Sequence, residues 1–139
     1  MGRILAFDYG KKRIGLAVTD PMQIIASPLI TVGPSEIESF LQNYLKKEIV
    51  DEFVIGYPVQ MNNKPSEAVK YIDPFLKRLG KLFPDKPLHL VDERFTSKMA
   101  LQTIIDGGVK KKGRRDKKLV DKISASLILQ AFLEKRAFI

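Results

Sequence analysis

The sequence contains no cysteine and a single histidine, His89. Without thiols there are no disulfides, no thiolate zinc sites and no cysteine nucleophile, and one imidazole excludes a multi-histidine metal centre. The absence of cysteine fits a reducing compartment. No apolar run approaches the roughly 20 residues that a membrane helix needs. The opening residues are interrupted by Asp8 and by Lys11 to Arg13, a pattern that does not fit a signal segment. The expectation is a soluble cytoplasmic protein with no membrane association. Tyr and Phe fall mostly on core stripes, so stacking platforms for single-stranded nucleic acid are not evident.

What is present suits one domain over residues 1–139, because 45% of residues are apolar, enough for a single core. The net charge of +8 is unevenly placed. The stretch Val109–Lys118 holds seven Lys/Arg and one Asp, leaving 17 Lys/Arg against 15 Asp/Glu elsewhere. Basicity is therefore mostly one tract: Lys110, Lys111, Lys112, Arg114, Arg115, Lys117 and Lys118. A tract of this kind attracts polyanions, most often nucleic acid, and we favour that reading over a merely solvated loop.

Residues 3–9 and 13–20 read as a strand hairpin, and Ile24 to Val32 as a third extended stretch whose Pro28 marks an edge or a bulge. Ser35-Glu-Ile-Glu38 has the form of a capping box opening a helix with Ile37, Phe40, Leu41, Tyr44 and Leu45 on one stripe. Glu52 to Tyr57 reads as a strand ending at Pro58, followed by a polar loop from Val59 to Pro65. Ser66 is placed to cap a second helix with Val69, Ile72, Leu76, Leu79 and Phe83 on one face, and Pro74 is expected to kink or divide it. Pro87 to Val91 reads as a strand, Thr96 or Ser97 as the start of a helix stopping at Gly107-Gly108, and Leu119 to Lys135 as the last helix. The implied fold class is α/β: a mixed five-stranded sheet, three antiparallel strands and then parallel ones, flanked by helices.

Three carboxylates stand out by position. Asp8 ends the first buried strand, where a charge is costly unless it is paired or binds a cation. Glu93, beside Asp92, follows the strand that ends at Val91. Asp121 shares a helical face with Ala125, Ile128 and Phe132, at spacings of four, seven and eleven. Acids gathered at one rim could hold Mg²⁺, which prefers carboxylate and water oxygens. Two such ions about 4 Å apart can activate a water and stabilise a leaving oxygen in phosphodiester cleavage. Each acid also has an ordinary reading. Asp8 could accept from the Gly10 amide, Glu93 could pair with Arg94, and Asp121 could pair with Lys117 or Lys118 or stabilise the helix N-terminus.

The segments FDYGKKRIGLAVTD, VDERFTS and VDKISASLILQ, in this order across essentially the whole chain, resemble the YqgF family, also called RuvX. The resemblance implies a ribonuclease H-like fold and Mg²⁺- or Mn²⁺-dependent phosphodiester hydrolysis with two ions. It assigns the catalytic, metal-holding acids to Asp8, Glu93 and Asp121. It implies either maturation of the 5′ end of pre-16S ribosomal RNA, which we place first, with possible ribosome association, or resolution of Holliday junctions in four-way DNA. A resolvase making paired cuts would be a homodimer, whereas a monomer suits single-strand RNA cleavage. The chain departs from the family pattern in Gly56-Tyr-Pro-Val-Gln-Met-Asn-Asn63, where Tyr57 replaces a leucine and no glycine follows. Ser124-Ala125 replaces an Ala-Ala pair on the last helix.

Lys11, Lys12 and Arg13, in the turn just past Asp8, are placed to contact substrate phosphates, and Arg94 to orient Glu93 or touch a phosphate. Two rival classes fit less well. A sugar kinase or actin-like ATPase needs a second lobe and a second phosphate hairpin, and a non-catalytic nucleic-acid-binding module would not need all three acids.

Overall fold

The structure is a computed structural model and describes residues 2–58, 69–92 and 117–137. Five strands and three helices are described: β1 (Arg3–Tyr9), β2 (Ile14–Thr19), β3 (Ala26–Val32), α1 (Ile37–Lys47), β4 (Val50–Tyr57), α2 (Val69–Leu82), β5 (Leu88–Asp92) and α3 (Lys117–Ala137). The strands form one sheet in the order β3-β2-β1-β4-β5. The first two pairings, β1 with β2 and β2 with β3, are antiparallel. β4 runs parallel to β1, and β5 runs parallel to β4. This is the mixed sheet that the short early connections and the later strand–helix alternation imply. β3 is an edge strand, and its pairing with β2 shifts register between Leu16 and Ala17, opposite Pro28. Proline thus lies both at an edge and at a bulge, where its missing N–H costs least.

Strand alternation sorts the core into two layers. Leu5 and Phe7 of β1, with Ile14, Leu16 and Val18 of β2, pack toward Ile37 and Leu41 of α1 and Ile72, Phe75 and Leu79 of α2. Phe7 meets Phe53 and Phe75 edge-on, each at 5.6 Å between ring centres. On the other face, Ile4, Ala6, Ala17 and Val54 pack against Ala125, Ile128, Leu129 and Leu133 of α3. The small residues Ala6, Ala17 and Ala125 let α3 lie close over β1 and β2. Thr19 is buried in this scaffold and fully engaged. Its hydroxyl accepts from the Ile4 amide and donates to the Asp20 carbonyl, both at 2.9 Å.

One local expectation is corrected and another is narrowed. The capping box does not form: the N-cap of α1 is Glu36, without a side-chain cap, and Glu38 instead accepts from Arg78 of α2 at 2.6 Å. An ion pair with a neighbouring helix takes the acid that the box would have used. Of the two effects expected of Pro74, division of α2 does not occur: the helix runs through it from Val69 to Leu82 while burying Ile72, Phe75 and Leu79. Burial of that stripe outweighs the one amide that proline cannot donate. The loop after Pro58, the Ser66 cap and the helix from Thr96 or Ser97 to Gly107 lie outside the described residues.

Candidate active site

The β1–β2 hairpin builds the floor of an open cleft. Tyr9 and Ile14 are its last paired residues, and the Gly10 amide closes the turn by donating to the Arg13 carbonyl at 2.9 Å. A side chain at position 10 would press on that carbonyl, so the tight turn requires glycine there. The Gly10 amide is therefore engaged in closing the turn. Asp8 follows Ala6 by two positions and so shares the face covered by α3. Asp121 comes to the same place from α3. Together Asp8, Gly10, Lys11, Lys12, Arg13 and Asp121 line a cleft of about 370 Å³.

Asp121 is located twice over. Opposite Asp8 in the hairpin register stands Gly15, and a Cβ there would collide with the Asp121 carbonyl. The backbone of α3 can reach β2 at this point only because residue 15 has no side chain. The Asp121 carboxylate in turn accepts from Arg13 Nε at 2.7 Å, with the two side chains only 22% and 32% exposed. The helix is also tied at both ends. The Thr31 hydroxyl donates to the Lys118 carbonyl at 2.6 Å, and Arg136 donates to Gln23 Oε1 at 2.9 Å.

Of the residues singled out from sequence, the structure brings Asp8, Asp121, Lys11, Lys12 and Arg13 together. Arg13 is engaged with Asp121, for which the ordinary reading of the sequence offered Lys117 or Lys118 as partner. Lys11 Nζ stands 5.5 Å from the centre of the Tyr71 ring of α2, a cation–π distance. Lys117 and Lys118 are exposed on the first turn of α3. Glu93, Arg94, Lys110, Lys111, Lys112, Arg114 and Arg115 lie outside the described residues, and among those described no three Asp, Glu or His side chains group as a metal cluster. Gly15 was passed over in the sequence. The available signal was a lone glycine inside an apolar strand, which marks close backbone approach.

The RuvX family model, described as Holliday junction resolvase, matches residues 2–135. The chain belongs to the RuvX family. A RuvX relative from Phocaeicola vulgatus is 52% identical over 139 residues, covering all of both chains. One from Christiangramia forsetii is 55% identical over 133 residues, covering 96% of this chain and 98% of the relative. Both bear the provisional name pre-16S rRNA nuclease. Among solved structures, T. thermophilus RuvC in complex with a Holliday junction substrate aligns with a TM-score of 0.55 at 16% identity, over 98% of this chain and 96% of that one. That likeness gives this RuvX member the ribonuclease H-like fold.

Tyr57, where the sequence resemblance leads one to expect a leucine, has a definite structural setting. Tyr57 ends β4 on the α1/α2 face and packs against that core layer, while its hydroxyl donates to Asp73 of α2 at 2.9 Å. This bond, which an ionised tyrosine could not make, raises the Tyr57 pKa above its ordinary value. A leucine would fill the same core position without anchoring α2. His89 also has a structural setting: Nε2 lies 3.0 Å from Glu52 Oε1, and the ring lies 4.9 Å from that of Phe132. Among the described residues no helix is long and apolar enough to cross a membrane.

Proposed function

We propose that this chain is a divalent-metal-dependent nuclease that hydrolyses phosphodiester bonds in the 5′-end maturation of pre-16S ribosomal RNA. The observation that carries this reading is the meeting of Asp8 and Asp121, 113 positions apart in sequence, in one cleft rimmed by Lys11 and Lys12. Carboxylates in an open, water-accessible cleft are the hard oxygen donors that Mg²⁺ or Mn²⁺ takes. Asp8, Asp121 and Glu93 would hold the ions. Glu93 comes directly after β5 in the sequence, and Val91 of β5 packs on the α3 face. Bound ions would supply Lewis acidity for the attacking water and the leaving oxygen.

The protein's own groups do the rest. Lys11 and Lys12 bind phosphates flanking the scissile bond, with Tyr71 steadying Lys11. The tract from Lys110 to Lys118 with Arg114 and Arg115, and Arg94 beside Glu93, extend the grip along the backbone of the nucleic acid without reading its sequence. The names of the relatives support ribosomal RNA as substrate, and with that substrate goes a setting beside the ribosome, in the cytoplasm. A second reading, resolution of Holliday junctions, is favoured by the family description alone.

The test is a side-by-side cleavage assay with Mg²⁺ or Mn²⁺ on a small-subunit ribosomal RNA precursor and a mobile four-way DNA junction, with Asp8→Asn protein purified identically. RNA cleavage absent from the variant is the expected result. Paired symmetric nicks in the junction, absent from the variant, would replace the first reading with the second. Cleavage equal in both proteins, or in neither, would sink the nuclease reading.

A further inference from the structure

We infer that Arg13 is an exchangeable counter-ion: it holds Asp121 while no divalent ion is bound, and turns to a substrate phosphate when one binds. The inference rests on the proposed reading of Asp8 and Asp121 as metal ligands and goes beyond it by naming the group that competes with the ion for Asp121.

Asp8 and Asp121 face one cleft, and Arg13 Nε supplies the compensating charge directly on Asp121 Oδ2 at 2.7 Å. The pair is mostly shielded from water, so the attraction is screened less than at an open surface. A divalent ion on the same carboxylate would bring two positive groups within a few ångströms of each other. The ion carries twice the charge and approaches oxygen more closely, so the guanidinium is the group that yields. It need not travel far. The backbone of the turn is held by the Gly10–Arg13 hydrogen bond, and the side chain shares the cleft with Lys11 and Lys12. A planar guanidinium released there matches a phosphate's paired oxygens better than an ammonium does. Metal loading and phosphate grip are thereby coupled through one side chain. The opposing arrangement is a fixed one, in which Arg13 stays on Oδ2 and orients the carboxylate for the ion.

Two measurements on the full chain without nucleic acid separate these. Calorimetric titration with Mn²⁺ compares wild type, Arg13→Gln and Asp8→Asn. Loss of a competing counter-ion should tighten Mn²⁺ binding in Arg13→Gln by about fivefold, the scale of one partly exposed ion pair. Unchanged or weaker binding would overturn the exchange and leave Arg13 as a positioning residue. Equal binding by wild type and Asp8→Asn would remove the metal-site reading itself, and the inference with it. The second measurement needs no variant at Arg13. By nuclear magnetic resonance, the wild-type Arg13 Nε–H should lose its protection from solvent exchange as Mg²⁺ saturates, and should respond to inorganic phosphate only with Mg²⁺ present. An Nε–H that stays protected at saturating Mg²⁺, or is indifferent to phosphate, would overturn the proposal.

Discussion

A methyl group at position 15 would land on the main-chain carbonyl of Asp121, and helix backbone cannot give way as a flexible side chain can. Gly15→Ala must push the first turns of α3 off β2, a form of overpacking worth about 1–3 kcal/mol. The expected outcome is that much loss in urea unfolding together with weakened Mn²⁺ binding. Wild-type behaviour in both would mean that α3 does not depend on this contact. Thr19 makes a comparable claim at the far end of β2. Its hydroxyl is the acceptor for the buried Ile4 amide. Thr19→Val keeps the shape and removes the acceptor, so it should destabilise by about 1–3 kcal/mol, read by the same unfolding curves. A neutral result would require another acceptor for that amide.

The β2–β3 connection shows how one carboxylate organises a loop. Asp20 accepts from the amides of Ile25, Ile24 and Met22 at 2.8, 2.9 and 3.1 Å. These bonds, led by Ile25 and Ile24, lower its pKa below the ordinary value. A depressed carboxyl contributes stability that is present above its unfolded pKa of about 3.9 and disappears as pH falls through the lower folded value. The amides of Ile24 and Ile25 should therefore be protected from hydrogen exchange at neutral pH and lose protection in acid, and Asp20→Ala should lack it throughout. Protection that survives in Asp20→Ala would assign the loop's order to something else. Met22, Ile24 and Ile25 are all exposed, so side-chain burial is not the competing cause. Helix α3 is held differently, by Ala125, Ile128 and Leu129 packed on the sheet. Ile128→Ala should cost about 2–5 kcal/mol in denaturant unfolding and loosen Asp121 with it.

Across the molecule, the parallel strands β1, β4 and β5 end at one rim, because Gly56 pairs with Val91 and Tyr57 with Asp92 while Phe7 pairs with Ile55. Asp8 lies at that rim, the C-terminal ends of the parallel strands, which is where open α/β sheets generally bind ligands. Most of the excess positive charge lies in the tract Lys110–Lys118. Binding to nucleic acid should weaken with salt. Each of Lys11→Ala and Lys12→Ala should reduce the log–log slope by about one unit, measured by fluorescence anisotropy across a salt series. Unchanged slopes would place the phosphates elsewhere.

The hairpin, the order of the described strands and helices, Asp8 at a strand end and Asp121 on the apolar face of the last helix were all legible in the chain, because periods of two and 3.6 residues are written locally. The partner of Asp121 was not. Proximity in sequence suggested Lys117 or Lys118, but Arg13, 108 residues away, makes the contact because the register of β2 and the seat of α3 bring the two together. The capping box failed for the same reason: Glu38 had a competitor in Arg78, 40 residues on, that no local pattern announces. Gly15 lies between these cases, visible as an interruption of a strand but explained only once a helix is laid across it. Local conformation follows from neighbours along the chain, whereas the pairing of charges follows from distances that exist only after the sheet has closed and the helices have packed on it.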